Sequence, residues 1–211
     1  MSLTVHQFPC LSDNYGFLVR DEATGQVASI DSPDAAAILA ALSTLGWNLT
    51  LVLNTHWHAD HAGGNAELKA VTGCQVWGPA EVERLTPVDR QLNGGDQVQL
   101  GETTFQVLET GGHTLGHLSY YSAKDDVAFV GDTLFAMGCG RMFEGSPSQM
   151  WASLQTLAAL PEHQEIIGRL RAEMPKHDEP DAPVNKLSPE EKKAMAKKGR
   201  KGKAPSADED K

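Results

Sequence analysis

The chain has 211 residues and a formal net charge of −10, and 40% of its residues are hydrophobic, which is enough to bury one sizeable core. Its three cysteines are far apart and odd in number, which argues against a disulfide framework. No apolar run approaches membrane-spanning length, and the first residues lack the basic and apolar segments of a secretory signal. We therefore expect a cytoplasmic protein without a membrane partner.

The pattern of apolar residues predicts an α+β fold. Strands are predicted near residues 3–8, 16–20, 26–31, 49–54, 75–77, 97–100, 103–109, 117–122 and 127–131. Helices are predicted over residues 33–45, 63–72, 80–86 and 147–160. Ser32 and Ser146 each precede a proline as predicted N-caps, and Gln149 completes a capping box in the last helix. Because the strand runs are broken by single helices and do not alternate strictly with them, we expect two packed sheets with helices outside.

A cluster of metal-binding residue types follows the apolar run 49–53. His56, His58, Asp60 and His61 lie within six residues, and imidazole and carboxylate are the side chains that hold divalent first-row metals. Alternation along an extended segment places His56 and His58 on one side, while Asp60 and His61 turn the other way. A single histidine here would be interpreted as a hydrogen-bonded residue at a strand end, but packing gives no reason for all four. One short loop could therefore face two metal ions.

Two later strand ends carry further ligand candidates. His113 follows the predicted strand 103–109 in a glycine-rich segment, where glycine allows a tight turn close to an ion. His117 opens the next strand, and we interpret it as a supporting or structural residue. Asp132 ends a buried strand, and its carboxylate could present one oxygen to each of two ions.

These segments resemble the metallo-β-lactamase fold superfamily and are most similar to its glyoxalase II branch, the hydroxyacylglutathione hydrolases. The resemblance covers roughly residues 3–162 and rests on motifs that occur in the family's order, in residues 9–19, 55–65, 112–117, 131–135 and 138–145. It implies an αβ/βα sandwich of two mixed sheets with outer helices. The metal site would lie at one edge, between the sheets.

The resemblance also implies the roles of individual residues in the metal site. The implied ligands are His56, His58 and His113 for one metal, Asp60 and His61 for the other, and Asp132 for both. The resident metal would be zinc, as one or two ions, although iron and manganese also accept this set of nitrogen and oxygen donors. Asp60 would in addition orient the attacking water and collect its proton.

The loop after Asp132 is expected to bind the substrate. Arg141 and Phe143 match family positions that contact the glutathione portion, and Arg141 could pair with a substrate carboxylate or else form an ordinary salt bridge. Phe143 stands where tyrosine is frequent and offers no hydroxyl. Cys139 lies in the same loop, where we favour a small packing residue over a catalytic thiol.

The chain departs from the family pattern after residue 160. The family supplies one more metal-ligating histidine and then a helical domain with basic residues for glutathione, whereas residues 163–171 carry neither, so we expect a C-terminally truncated fold. The second metal would be completed by water or by His163 or His177, with weaker occupancy. A sheet edge left open in this way would allow a homo-oligomer to form.

The end of the chain differs in composition from the rest. We expect residues 1–174 to form the hydrolase domain and residues 175–211 to be a disordered charged tail, because the tail has too few large apolar residues to offset its chain entropy. Residues 176–211 carry a net charge of only +2, against −12 for the rest. We therefore expect no nucleic-acid partner.

The expected function is metal-dependent hydrolysis of a thioester. A metal brings the pKa of its bound water from about 15.7 to about 7, so that a metal-bound hydroxide can attack a carbonyl at neutral pH. A thiolate, whose pKa is near about 8.5, leaves without a strong general acid. The resemblance implies S-D-lactoylglutathione as substrate, converted to D-lactate and glutathione, which is the methylglyoxal detoxification reaction.

Three alternatives stay open at this point. A persulfide dioxygenase of the same superfamily would hold one iron with His56, His113 and Asp132. A degenerate fold could bind metal or a partner without catalysis. A β-lactamase role is less favoured, because no secretory signal is present.

Overall fold

The structure, a computed structural model, describes residues 3–12, 14–135 and 138–161. These residues belong to the first of the two units into which the chain divides, residues 1–166. The predicted boundary at residue 174, the predicted tail of residues 175–211, and the ligand candidates His163 and His177 all lie outside the described residues.

Six strands form the first sheet in the order of the chain. They are β1 (Leu3–Cys10), β2 (Asn14–Asp21), β3 (Val27–Ile30), β4 (Leu49–Leu53), β5 (Gln75–Gly78) and β6 (Arg90–Gln91). The first three strands pair antiparallel, and the pairs from β3 to β6 are parallel, so this sheet is mixed as expected. The short strand β6 was not predicted, because two exposed polar residues give no periodic signal.

Four strands form the second sheet. They are β7 (Gln97–Leu100), β8 (Thr103–Glu109), β9 (Leu118–Ser122) and β10 (Val127–Phe129), in the order β10-β9-β8-β7. Within the described part of the chain these four strands pair antiparallel, so this sheet is antiparallel there and not mixed as expected. The reason is local: short turns join β7 to β8 and β9 to β10, and a short turn can only join antiparallel neighbours.

The predicted helices agree with the structure to within two residues at one end, and one short helix, Ala59–Ala62, was not predicted. They are α1 (Ala35–Leu45), α2 (Ala59–Ala62), α3 (Asn65–Thr72) and α4 (Pro147–Ala158), and the predicted helix 80–86 is a 3₁₀ segment, Ala80–Arg84. The cap of α1 is Asp34, which accepts from the Ala37 amide, so the prediction of Ser32 as its cap is wrong. The capping box of Ser146 and Gln149 is confirmed.

Two layers of apolar side chains hold the fold together. Between the sheets, Leu53 and Ile30 of the first sheet join Phe105 and Tyr120 of the second in one buried cluster. On the other face of the first sheet, α1 and α3 pack through buried residues such as Ile38 and Leu68. This gives the expected αβ/βα arrangement of sheets with outer helices. None of the described helices combines the length and apolarity that crossing a bilayer requires.

A buried carboxylate connects the two sheets at the end of β2. Asp21 is fully buried, and its Oδ2 accepts from Thr103 Oγ1 of β8 at 2.9 Å. Its Oδ1 accepts from the amide and hydroxyl of Thr24, at 2.9 and 2.8 Å. Burial disfavours the ionised form, but these hydrogen bonds outweigh it and lower the pKa of Asp21 below its ordinary value.

We expect Asp21→Asn to lower the free energy of unfolding by about 1–3 kcal/mol at neutral pH, because buried donors lose their acceptor. Since the pKa of Asp21 is depressed in the folded state, this contribution is complete above the ordinary carboxyl pKa and is lost as pH falls through the folded-state value. Urea unfolding at several pH values measures it, with the exposed neighbour change Glu22→Gln as control. A difference between Asp21→Asn and the unchanged protein that did not shrink at low pH would contradict this role.

Candidate metal centre

The ends of three strands bring the predicted ligands together. The loop after β4 carries His56 and His58, and α2 follows it with Asp60 and His61. His113 lies in the loop between β8 and β9, and Asp132 lies in a 3₁₀ segment directly after β10. Residues from both sheets therefore meet at one edge of the sandwich, where the resemblance places the metal site.

Three imidazoles form a first group of donors, the His58 group (His56, His58 and His113). His58 Nδ1 lies 3.1 Å from His56 Nε2 and 2.9 Å from His113 Nε2. Two nitrogens bound at about 2.0–2.1 Å to one tetrahedral zinc ion lie about 3.4 Å apart, so the observed separations are close to those of a metal site. The donor set therefore fits a divalent ion.

A second group shares His56 and is called the Asp132 group (His56, His61 and Asp132). His61 Nε2 lies 3.1 Å from Asp132 Oδ1, and His113 Nε2 lies 3.3 Å from Asp132 Oδ2. Each carboxylate oxygen thus lies beside a different donor group. This is the arrangement that a bridging aspartate needs, although the bridging role itself stays a prediction.

Asp60 lies at the rim of the site. Its side chain is 57% exposed, and its Oδ2 is 3.8 Å from His61 Nε2. Asp60 joins neither group of close donors, because it lies in the first turn of the short helix α2 with its side chain toward solvent. Its backbone carbonyl is held by Asn14 Nδ2 at 2.8 Å. The ligand role of Asp60 stays a prediction.

The histidines of the site differ in the charge that their surroundings favour. Burial, together with the neighbouring imidazoles, lowers the pKa of His56 far below its ordinary value and also lowers that of His58, so both favour the neutral form that binds metals. Burial by itself would also lower the pKa of His61, but the Asp31 and Asp132 carboxylates outweigh this effect and raise the pKa of His61 to about 10. Burial opposes ionisation of Asp132 as well, yet contact with His61 lowers its pKa.

Asp31 orients two of the predicted ligand histidines, and it was not identified from the sequence. Its Oδ2 accepts from His61 Nδ1 and from Thr55 Oγ1, both at 2.8 Å, and its Oδ1 accepts from the Thr55 amide at 2.7 Å. Thr55 Oγ1 lies 2.9 Å from His56 Nδ1 and, with its own proton on Asp31, accepts from that nitrogen. The Nε2 atoms of His56 and His61 are thereby left for a metal. A carboxylate directly after the buried strand β3 was the available signal, the same pattern that identified Asp132.

His117 holds the backbone of Asp132 in place, which agrees with its interpretation from the sequence as a supporting residue. It is fully buried, and its Nε2 accepts from the Asp132 amide at 3.1 Å. Its Nδ1 lies 3.0 and 3.1 Å from the hydroxyls of Thr110 and Thr133. Burial and the nearby histidines lower the pKa of His117 to about 3, consistent with this neutral acceptor role. Gly131 has a φ of 47°, and a Cβ there would lie 2.6 Å from His117 Nε2, so this turn requires glycine.

Residues from distant segments hold the turn that carries His113. Both oxygens of Glu81 accept from this turn, from Thr114 Oγ1 at 2.6 Å and from the Gly116 amide at 2.7 Å. Glu144 accepts from the Leu115 amide and pairs with Arg84. These contacts were also not foreseen, because Glu81 and Glu144 lie in segments that show no metal-site pattern.

The predicted substrate loop lies against the His58 group. His113 Nδ1 donates to the Arg141 carbonyl at 2.6 Å, which leaves His113 Nε2 for the site. The Phe143 ring is 5.3 Å from the rings of both His58 and His113, and the Arg141 guanidinium lies 5.0 Å from the Phe143 ring centre. Cys139 is exposed, so its interpretation as a buried packing residue is wrong.

We expect Asp31→Asn to weaken metal binding by about 10-fold to 100-fold, because His61 and the Thr55 hydroxyl both lose their charged hydrogen-bond acceptor. Asparagine tolerates the left-handed backbone of Asp31, φ 60°, so the change isolates the carboxylate. Competition with a chromophoric chelator measures the affinity, and the exposed change Glu102→Gln serves as control. Equal affinity of Asp31→Asn and the unchanged protein would contradict the orienting role.

Comparison with known proteins places this geometry in context. The Metallo-beta-lactamase superfamily profile matches residues 22–163. A hydroxyacylglutathione hydrolase of Erythrobacter litoralis is 51% identical over 159 residues, which is 75% of this chain and 63% of that protein. The chain spans 63–64% of the length of the curated relatives it matches.

Solved structures show a similar fold. ETHE1 from Myxococcus xanthus is 36% identical with a TM-score of 0.67, over 75% of this chain and 71% of that one. TTHA1623, solved in a di-iron-bound form, is 29% identical with a TM-score of 0.62, over 70% and 82% of the two chains. Because the family profile covers residues 22–163, which run from β3 to α4 and include all six predicted ligands, the chain belongs to the metallo-β-lactamase superfamily.

Proposed function

We propose that the chain is a metal-dependent thioester hydrolase, with S-D-lactoylglutathione as the first substrate to test. The observation that carries this proposal is the pair of donor groups that share His56, with the two oxygens of Asp132 distributed between them. Identity of 47–53% to hydroxyacylglutathione hydrolases supports the choice of substrate class. The finer proposals are zinc as the metal, methylglyoxal detoxification as the role and the cytoplasm as the location.

His56, His58 and His113 would hold one ion, Asp60 and His61 would hold a second, and Asp132 would contribute one oxygen to each. When bound, such an ion lowers the pKa of a water ligand toward neutrality and polarises a substrate carbonyl. Asp60, exposed at the rim 3.8 Å from His61 Nε2, is placed to accept a proton and pass it to solvent. The thiolate leaves unaided, so the site needs no general acid at the sulfur.

The loop that carries Arg141 and Phe143 would bind the thiol portion of the substrate. Phe143 is 58% exposed, and its ring lies beside His58 and His113, where it would form an apolar surface against a bound substrate. Arg141 is exposed, and it forms no ion pair with a carboxylate among the described residues. It is therefore available to pair with a carboxylate of a peptide thiol such as glutathione.

We expect the metal-loaded full chain to hydrolyse S-D-lactoylglutathione, and chelation to abolish the rate reversibly. His58→Ala should lower kcat/KM by at least about 100-fold together with metal content, because the His58 group loses its central donor. His6→Ala, on β1 and outside both donor groups, is the matched control and should change neither. A metal-loaded protein with no thioester turnover would favour the binding-only alternative.

We expect Arg141→Ala to raise KM for S-D-lactoylglutathione about tenfold with little change in kcat, because a charge-assisted pair with the substrate is lost. Arg141→Lys should recover part of the loss, since it keeps the charge but not the two-pronged geometry. Arg90→Ala, which removes an exposed arginine stacked on Trp77, is the control. A fall in kcat with KM unchanged would contradict a binding role for Arg141.

A second candidate function is persulfide dioxygenation by a single iron. The likeness to ETHE1 keeps this candidate open, and His113 and Asp132 lie within 3.3 Å of each other as it requires. Against it, His58 lies 2.9 Å from His113 and His61 lies 3.1 Å from Asp132. The site therefore gathers more donors than the three that a single iron would use. Oxygen uptake with glutathione persulfide by the iron-loaded chain, without thioester turnover, would replace our proposal with this one.

A further inference from the structure

The structure contains an apolar pocket next to the Asp132 group. We infer that this pocket binds the acyl portion of the substrate and selects apolar acyl groups larger than lactoyl, such as phenylacetyl. This inference rests on the proposed thioester hydrolysis and specifies its substrate class. The loop of Arg141 and Phe143 would bind the thiol portion separately.

The pocket has a volume of about 370 Å³ and lies between the edges of the two sheets. Small-molecule sites are typically clefts of about 300–1,000 Å³ with mostly apolar walls. Here Tyr15 and Phe17 of β2 face Phe129 of β10, and Leu134 and Phe135 close another side. A short lactoyl group would leave much of this wall uncovered.

The pocket reaches the reaction centre. His61 and Asp132 line it directly, and they are two of the three donors of the Asp132 group. Neither Arg141 nor Phe143 lines it, because both lie against the His58 group. A thioester carbonyl placed at the donors would therefore direct its acyl chain and its thiol toward different walls.

The polar groups of the pocket wall are already engaged within the protein. Both Asp31 oxygens accept hydrogen bonds from Thr55, and Oδ2 also accepts from His61. The side chain of Asn14 donates through Nδ2 to the Asp60 carbonyl and accepts through Oδ1 from the backbone amide of Tyr15. These groups are therefore already paired and do not favour binding of the hydroxyl of a lactoyl group. Phe135 and Tyr15 are half-exposed, and a larger apolar acyl group could cover their surface.

Kinetics of the metal-loaded full chain test the selectivity. S-phenylacetylglutathione should show a kcat/KM at least about tenfold above that of S-D-lactoylglutathione. Phe135→Asn should lower this ratio about tenfold, and Phe135→Leu should retain most of it because it keeps an apolar wall. Trp151→Asn, which removes an exposed aromatic side chain from α4, outside the pocket, is the control and should leave the ratio unchanged.

Direct binding provides a readout that does not depend on catalysis. Saturation-transfer NMR of the full chain should show transfer to the ring protons of phenylacetate and weaker transfer to D-lactate, and Phe135→Asn should reduce the phenylacetate signal. Phenylacetate binding without turnover of either thioester would support the pocket while removing the proposed hydrolase function. Turnover of S-D-lactoylglutathione with no phenylacetate signal and no preference for the larger acyl group would overturn this inference and leave the hydrolase function standing.

Discussion

The arrangement of the site depends on the buried carboxylate of Asp31. A metal-binding imidazole must present one nitrogen as a lone pair, and a hydrogen bond on the other nitrogen selects that form. Asp31 provides this bond directly to His61 and, through the Thr55 hydroxyl, to His56. Asp31, Thr55, His56 and His61 are all buried. Loss of the carboxylate would therefore leave the Thr55 hydroxyl and His61 Nδ1 without an acceptor in a region that excludes water, which is costly. The same interaction thus serves both stability and ligand orientation.

Each remaining part of the site is held by residues from a different segment. The Arg141 carbonyl orients His113, and Glu81 braces the turn that carries it. His117, neutral and buried, holds the backbone of Asp132. The donors therefore come together only when the loop after β4, the β8–β9 loop and the segment after β10 are folded against one another. Binding of a metal would stabilise this whole edge of the sandwich, because an unfolded chain holds no such set of donors in place.

The two sides of the site differ in chemistry. The His58 group lies beside an aromatic ring and a cation, Phe143 and Arg141, whereas the Asp132 group opens to an apolar pocket with engaged polar groups. A carbonyl compound with one charged and one apolar arm matches this division. All donors of both groups lie inside the matched family region, although the chain spans only 63–64% of the length of its curated relatives.

The sequence alone predicted the candidate ligand residues and determined most of the strands, because metal ligands must be particular residue types and strand periodicity is local. It also predicted the helix cap at Ser146 and the supporting role of His117. Only the tertiary structure decided that Asp31 and Glu81 support the site, that Asp60 stays at the rim, and that the second sheet is antiparallel. These features are contacts between segments far apart in the chain, and no local pattern of residues records which distant carboxylate will reach a given histidine.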